Sequence, residues 1–141
     1  MDFIAHAQKT LTIEQNGIAA ISQQLDDTFN TAIQALLDAI DRNGKIVIAG
    51  VGKNWHIGNK IAATLNSTGS PAAVMHPIEA MHGDFGLLSD SDILIAMSYS
   101  GASEEITALL PPVKRRNIPI IAPPAPAASP LPRAPPVTPY L

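Results

Sequence analysis

The chain has 141 residues, enough for one domain with a real core and too few to expect two. A formal net charge of -3 argues against a nucleic-acid partner, which would require a clustered basic face; only the run Val113-Lys114-Arg115-Arg116 is locally basic, and it suits a solvated helix end. The absence of cysteine excludes disulfides, thiolate metal sites and a cysteine nucleophile.

The start, MDFIAHAQKT, lacks a basic region followed by an apolar one, and no apolar run approaches a bilayer span, so a cytoplasmic protein without a membrane partner is expected. From Phe3 to Asp41, Leu11, Ile18, Ile21, Leu25, Phe29, Ile33, Leu36, Leu37 and Ile40 recur at steps of three, four and seven, the signature of amphipathic helix. Gly17 should divide this segment into one helix and then a longer one, and Gly44 should take the left-handed position that closes it. Residues 1–44 are thus expected to form an N-terminal helical segment that packs on a sheet face or on another subunit.

Between 45 and 122 the pattern alternates. KIVIAG at 45–50 reads as a buried strand, HIGNKIAATLNSTG as a helix with Ile57, Ile61, Ala62 and Leu65 on one side, closed by Gly69, and SPAAVMH as a second strand. PIEAMHG is a short helix with Pro77 in the favoured first position, DILIAMS a third strand, and GASEEITALLPPVKRRN a helix that Pro111 and Pro112 should kink or shorten. IPIIA is a fourth strand. Such alternation predicts an α/β fold, an open parallel sheet with helices on both faces. The last nineteen residues, PPAPAASPLPRAPPVTPYL, contain eight prolines, so 123–141 is expected to be an irregular, polyproline-like tail.

In a parallel sheet, ligands sit beyond the carboxyl ends of the strands, where helix N-termini offer free backbone N–H groups. Three segments should meet there: GVGKNWHIG, HPIEAMHGD and SYSGASEE. The first is neither a dinucleotide fingerprint, because Trp55 stands where the third glycine belongs, nor a P-loop, because Gly52-Lys53 is followed by Asn54. In the third, Ser98, Ser100 and Ser103 around Gly101 can surround a phosphate without an arginine; capping of the following helix is the plain alternative. The second offers His76, Glu79, His82 and Asp84, suited to hydroxyl binding, proton transfer or, with His76 joining Glu79 and His82, a metal.

Together the motifs G-x-G-K-x-x-H-I-G, H-P-x-E-A-x-H-G-D and S-x-S-G-x-S-x-E-I resemble the sugar isomerase (SIS) domain of the arabinose 5-phosphate isomerases, which make the first committed precursor of Kdo for lipopolysaccharide in Gram-negative bacteria. The resemblance spans roughly residues 40 to 121. It implies a three-layer, flavodoxin-like or Rossmann-like parallel sheet of SIS type, with residues 45–122 its phosphosugar-binding part. It further implies that Lys53 and Glu105 are catalytic, that Gly69, Ser70, His76 and His82 contact substrate, and that Ser98 to Ser103 hold the sugar phosphate. No cofactor is required by the resemblance, although zinc can bind where His76 falls, and a homo-oligomer, a tetramer, is implied.

The chemistry fits these residue types. Interconversion of ribulose 5-phosphate and arabinose 5-phosphate moves a proton between C1 and C2 through an enediol, which needs a base and a group that stabilises the developing oxyanion. Glu105 can serve as the base and Lys53 as the cation; a first-turn acid favoured by the helix dipole and a solvated surface cation are their plain alternatives. The family usually has Ser-Gly after the lysine, where this chain has Asn54-Trp55, and its pattern continues beyond residue 141 with a further catalytic glutamate and histidine and usually a pair of CBS domains. A non-catalytic phosphosugar-sensing module is the other reading these residues allow.

Overall fold

The computed structural model of the protein describes residues 2–98 and 103–122; Ser100, Gly101 and the proline-rich tail, 123–141, lie outside the described residues. Helix α1 (Phe3–Gln24) runs unbroken through Gly17, and α2 (Asp27–Asp41) follows it. The expected break at Gly17 therefore falls eight residues later, at Leu25-Asp26, and the first helix is the longer. The reason is local: Leu25 turns extended, and the Asp26 carboxylate accepts from the Thr28 amide at 2.9 Å, capping a new helix.

Strands β1 (Ile46–Gly50), β2 (Ala72–Met75), β3 (Ile93–Met97) and β4 (Ile120–Ile121) form one parallel sheet in the order β2-β1-β3-β4. Every residue of β1 is buried, as a central strand covered on both faces requires. Side chains of β1 alternate between two cores. Ile46 and Ile48 pack with Ala39 of α2 and with Ala62 of α3 (Lys53–Ser67). Val47 and Ala49 pack on the other face with Met75, with Ala80 of α4 (Pro77–Met81), and with Ile106, Leu109 and Val113 of α5 (Glu104–Arg115). This is the parallel α/β sheet that the alternation predicts, in the three-layer form that the resemblance implies.

Three expectations are corrected in detail. The left-handed residue after α2 is Asn43, at φ 59°, whereas Gly44 is held by space: a Cβ there would lie 2.1 Å from the Ser91 carbonyl oxygen. The inner side of α3 carries Gly58, Ala62 and Leu65, while Ile57 and Ile61 face outward; small residues let α3 come close to β1, so that a Cβ on Gly58 would stand 3.1 Å from Ile48 Cγ2. Pro111 and Pro112 do not end α5, which continues to Arg115.

One fold-holding contact was not legible in the motifs. Asp92, at the entry to β3, is 1% exposed and accepts from the Lys45 amide at 2.9 Å, the Lys45 ammonium at 2.6 Å and the Ser89 amide at 2.7 Å. Burial pushes its carboxyl up, but the hydrogen bonds from Lys45 and Ser89, with the charge of Lys45, outweigh burial and hold it below the ordinary aspartate value. By contrast, α1 buries none of its residues. Among the described residues, no helix is long and apolar enough to cross a membrane.

Candidate functional site

The chain leaves β1 for β2 on one side and returns to β3 on the other, so the connections diverge at the carboxyl ends of β1 and β3, where Gly50 pairs with Met97. A crevice outside that point is where open α/β sheets take ligands. Gly52, at φ 58°, turns the chain directly into α3, so Lys53 is the first residue of the helix rather than part of a long loop, and it is exposed. No side chain caps this end of α3. Asn54 donates its side-chain amide to the Met97 carbonyl at 3.3 Å, which ties the first turn of α3 to the end of β3. The bond thereby brings their chain neighbours, Lys53 and Ser98, to the same edge of the sheet.

Ser98 is nearly buried, and its hydroxyl shares a 2.9 Å hydrogen bond with that of Ser103. Ser103 occupies the N-cap position of α5, yet its hydroxyl makes no capping bond. The capping alternative therefore does not hold for Ser103: its side chain is committed to Ser98, and the first-turn N–H groups of an α-helix have no partner within the helix itself. Glu104 and Glu105 form the first turn, with Glu105 half-buried. At the far end, Lys114 and Arg115 occupy the last turn, and Arg116 pairs with Asp90 at 2.6 Å and lies 5.6 Å from the Phe85 ring centroid. The basic run is thus a helix end, as its composition suggests.

His76 stands at the N-cap of α4, beyond β2. Its ring meets that of Trp55 edge-on, with centroids 5.3 Å apart at 68°, and its Nδ1 is buried without a hydrogen-bond partner among the described residues. Beside the two rings lies a cavity of about 310 Å³, lined also by Val74, Met75, Glu79 and Asp84. Glu79 lies within α4 and His82 at its C-terminal end, both exposed.

Lys53, His76, Ser98, Ser103 and Glu105 therefore all lie at the carboxyl edge of the sheet. Gly69 and Ser70 do not: they follow α3 and precede β2, at the amino edge, where Gly69 takes φ 88° and the Ser70 amide donates to the Leu65 carbonyl at 3.0 Å. Within one chain these two residues are not brought to the crevice. For zinc, His76 offers one imidazole, and among the described residues no three His, Asp or Glu side chains are grouped to hold a metal ion. The described donor set of one chain does not fit a metal centre. The Asn54 bridge is absent from the motifs; an amide two residues after the turning Gly52 was its one local signal.

Residues 39–138 match the SIS domain family. The chain belongs to that family. It is 41% identical to arabinose 5-phosphate isomerase KdsD of Pseudomonas aeruginosa over 134 residues, which is 95% of this chain and 40% of that protein. The chain spans about two fifths of the length of the curated relatives it matches. Among solved structures, this SIS domain superposes with a TM-score of 0.83 on a Bacteroides fragilis protein assigned as a phosphosugar isomerase involved in capsule formation, at 34% identity, covering 92% of this chain and 68% of that one. It also superposes on Escherichia coli CFT073 c3406 in complex with A5P, with a TM-score of 0.71 and 34% identity, covering 86% of this chain and 65% of that one.

Proposed function

We propose that this SIS domain binds a pentose 5-phosphate and interconverts D-arabinose 5-phosphate and D-ribulose 5-phosphate, the reaction that supplies the Kdo precursor for lipopolysaccharide. The observation that carries this reading is the meeting, at the diverging carboxyl ends of β1 and β3, of the first turn of α3, which Lys53 begins, with the Ser98–Ser103 hydroxyl pair at the N-terminus of α5. The KdsD relatives and the A5P complex of a neighbour support it.

The phosphate is held by the hydroxyls of Ser98 and Ser103 and by backbone N–H groups at the α5 N-terminus. Glu104 and Glu105 would repel a dianion there, and Lys53 supplies the countercharge from across the edge. With the phosphate fixed, Glu105 takes the proton from C2 of the open-chain aldose, and the electrons move onto the C1 carbonyl oxygen, which is protonated to give the enediol. Return of the proton to C1, with loss of the proton from the C2 hydroxyl, gives the ketose. Lys53 stabilises the oxyanion in both directions. His76 and His82 are assigned to hydroxyl contacts with the same substrate.

The protein acts as a homo-oligomer in this reading. Ile4, Leu11 and Ile18 repeat at steps of seven along α1, and all are exposed. A helix that buries nothing of its own needs such a partner to stay folded.

The test is to add arabinose 5-phosphate or ribulose 5-phosphate and follow both the melting temperature and, by NMR, the appearance of the other sugar. Stabilisation with turnover is the expected result. Stabilisation without turnover would leave a phosphosugar-binding module, and the absence of both responses would overturn the assignment.

A further inference from the structure

Trp55 is the residue at this edge that the reaction above does not use. It is half-buried in the first turn of α3, yet its ring reaches the His76 imidazole beyond β2, so it crosses from the connection after one strand to the connection after the next. The cavity that the two rings share is roomy, equivalent to roughly ten waters at ~30 Å³ each. Its chemistry is divided: an aromatic wall at Trp55, apolar groups at Val74 and Met75, and carboxylates at Glu79 and Asp84.

Among the described residues no lysine or arginine lines this cavity, so two carboxylates make it hostile to phosphate. The same carboxylates accept well from neutral hydroxyls, and an aromatic face receives the apolar C–H side of a polyol chain. Nδ1 of His76 is covered and, among the described residues, has no hydrogen-bond partner, so the imidazole beside the cavity carries an unmet polar atom.

We propose that Trp55 is a specificity-determining residue: it forms the wall of a polyol subsite with Glu79 and Asp84, and holds the His76 ring beside the hydroxyl-bearing carbons of the ligand. This rests on the phosphosugar reading above and deepens it by fixing polarity. The phosphate end lies at Ser98 and Ser103, the polyol end against Trp55.

Trp55 is the only tryptophan in the chain, so its emission reports this wall directly. The intact protein is titrated with arabinose 5-phosphate, with arabitol and with inorganic phosphate, following Trp55 emission and melting temperature together. The expected result is that arabinose 5-phosphate and millimolar arabitol change the emission and inorganic phosphate does not. In parallel, Trp55→Phe should keep the affinity for arabinose 5-phosphate within about threefold, and Trp55→Ala should weaken it about tenfold without altering the response to inorganic phosphate. Arabinose 5-phosphate that raises the melting temperature and leaves Trp55 emission unchanged overturns the subsite while the phosphosugar reading stands. An arabitol response without any sugar phosphate response keeps the subsite and overturns that reading. An emission change with inorganic phosphate alone, or no response to any of the three, overturns the subsite.

Discussion

The side-chain amide of Asn54 donates to the main-chain carbonyl of Met97 across 3.3 Å, joining the first turn of α3 to the last residue of β3. It bridges the two connections that diverge at the switch point, and so fixes the separation between Lys53 and Ser98, their respective chain neighbours. Asn54→Ala leaves the Met97 carbonyl without this donor and should cost about 1 kcal/mol of stability. Urea unfolding with an unchanged slope would read that loss. The same variant should bind arabinose 5-phosphate more weakly. Unchanged affinity beside lowered stability would confine Asn54 to the fold.

Lys53 and Glu105 separate function from stability. Lys53 is exposed and Glu105 half-buried, and neither makes a side-chain hydrogen bond among the described residues, so Lys53→Met should change stability by less than about 0.5 kcal/mol. If the two act as cation and base, Lys53→Met and Glu105→Gln should each lower kcat by roughly a hundredfold to ten-thousandfold. Steady-state rates for both sugars, measured beside melting curves, check this. A variant that retains its rate removes that residue from the mechanism.

The glycine at position 58 tests how tightly α3 is seated. An added Cβ would meet Ile48 Cγ2 at 3.1 Å and Val74 Cγ1 at 3.7 Å. Alanine in a helix gains about 1 kcal/mol over glycine, whereas overpacking a core costs about 1 to 3 kcal/mol. Because Ile48 is fully buried in a central strand, the steric cost should win, and Gly58→Ala should lower stability by about 1 kcal/mol. A raised melting temperature would mean that Ile48 gives way.

These positions also show how far the sequence alone could reach. The four strands and the convergence of their carboxyl ends follow from β-branched runs such as Ile46-Val47-Ile48 alternating with helical spacing, and the structure keeps them all. Misread positions are those where two physical roles select the same residue type. Gly44 looked like a left-handed cap and is a close-packing glycine, because Asn43 can itself adopt positive φ. Ile57 and Ile61 looked like the inner face of α3, but the helix approaches the sheet through Gly58 and Ala62. For the candidate site, glycine and serine punctuation put the Ser98–Ser103 segment at a strand-to-helix junction, whereas Lys53 and Glu105 were singled out as catalytic only through the resemblance; the structure places Lys53, Ser98, Ser103 and Glu105 at the carboxyl edge. The Asp92 clasp was not, since its partner Lys45 lies 47 residues away and no local pattern links them.

That clasp makes a pH prediction. The Asp92 carboxyl is held below its unfolded value, so its contribution to stability is fully present above about pH 4 and is lost as pH falls through the folded value. Asp92→Asn removes the charge opposite the Lys45 ammonium and should destabilise the protein by about 2 kcal/mol at neutral pH. The gap between wild type and variant should then narrow as the pH drops below about 4, because only the wild type loses a charged partner there. Urea unfolding of both proteins between pH 3 and 7 tests the sign; a gap that widens in acid would contradict it.

The last prediction concerns α1. Ile18 and Ile21 are 68% and 62% exposed, and α1 buries no residue, although helices in proteins draw most of their stability from packing an apolar face. Exposed apolar side chains repeated along one helix are stabilised when a second copy covers them. Replacing both Ile18 and Ile21 by Glu puts two like charges into such a seam while leaving the sheet and its two cores untouched. The expected outcome is a lower molar mass by light scattering at a concentration where the wild type associates. Far-UV circular dichroism should show helix lost in step with that dissociation. A variant that keeps the wild-type mass would mean that this face of α1 is not the contact, and a wild type that is monomeric at all concentrations would remove the self-assembly proposal altogether.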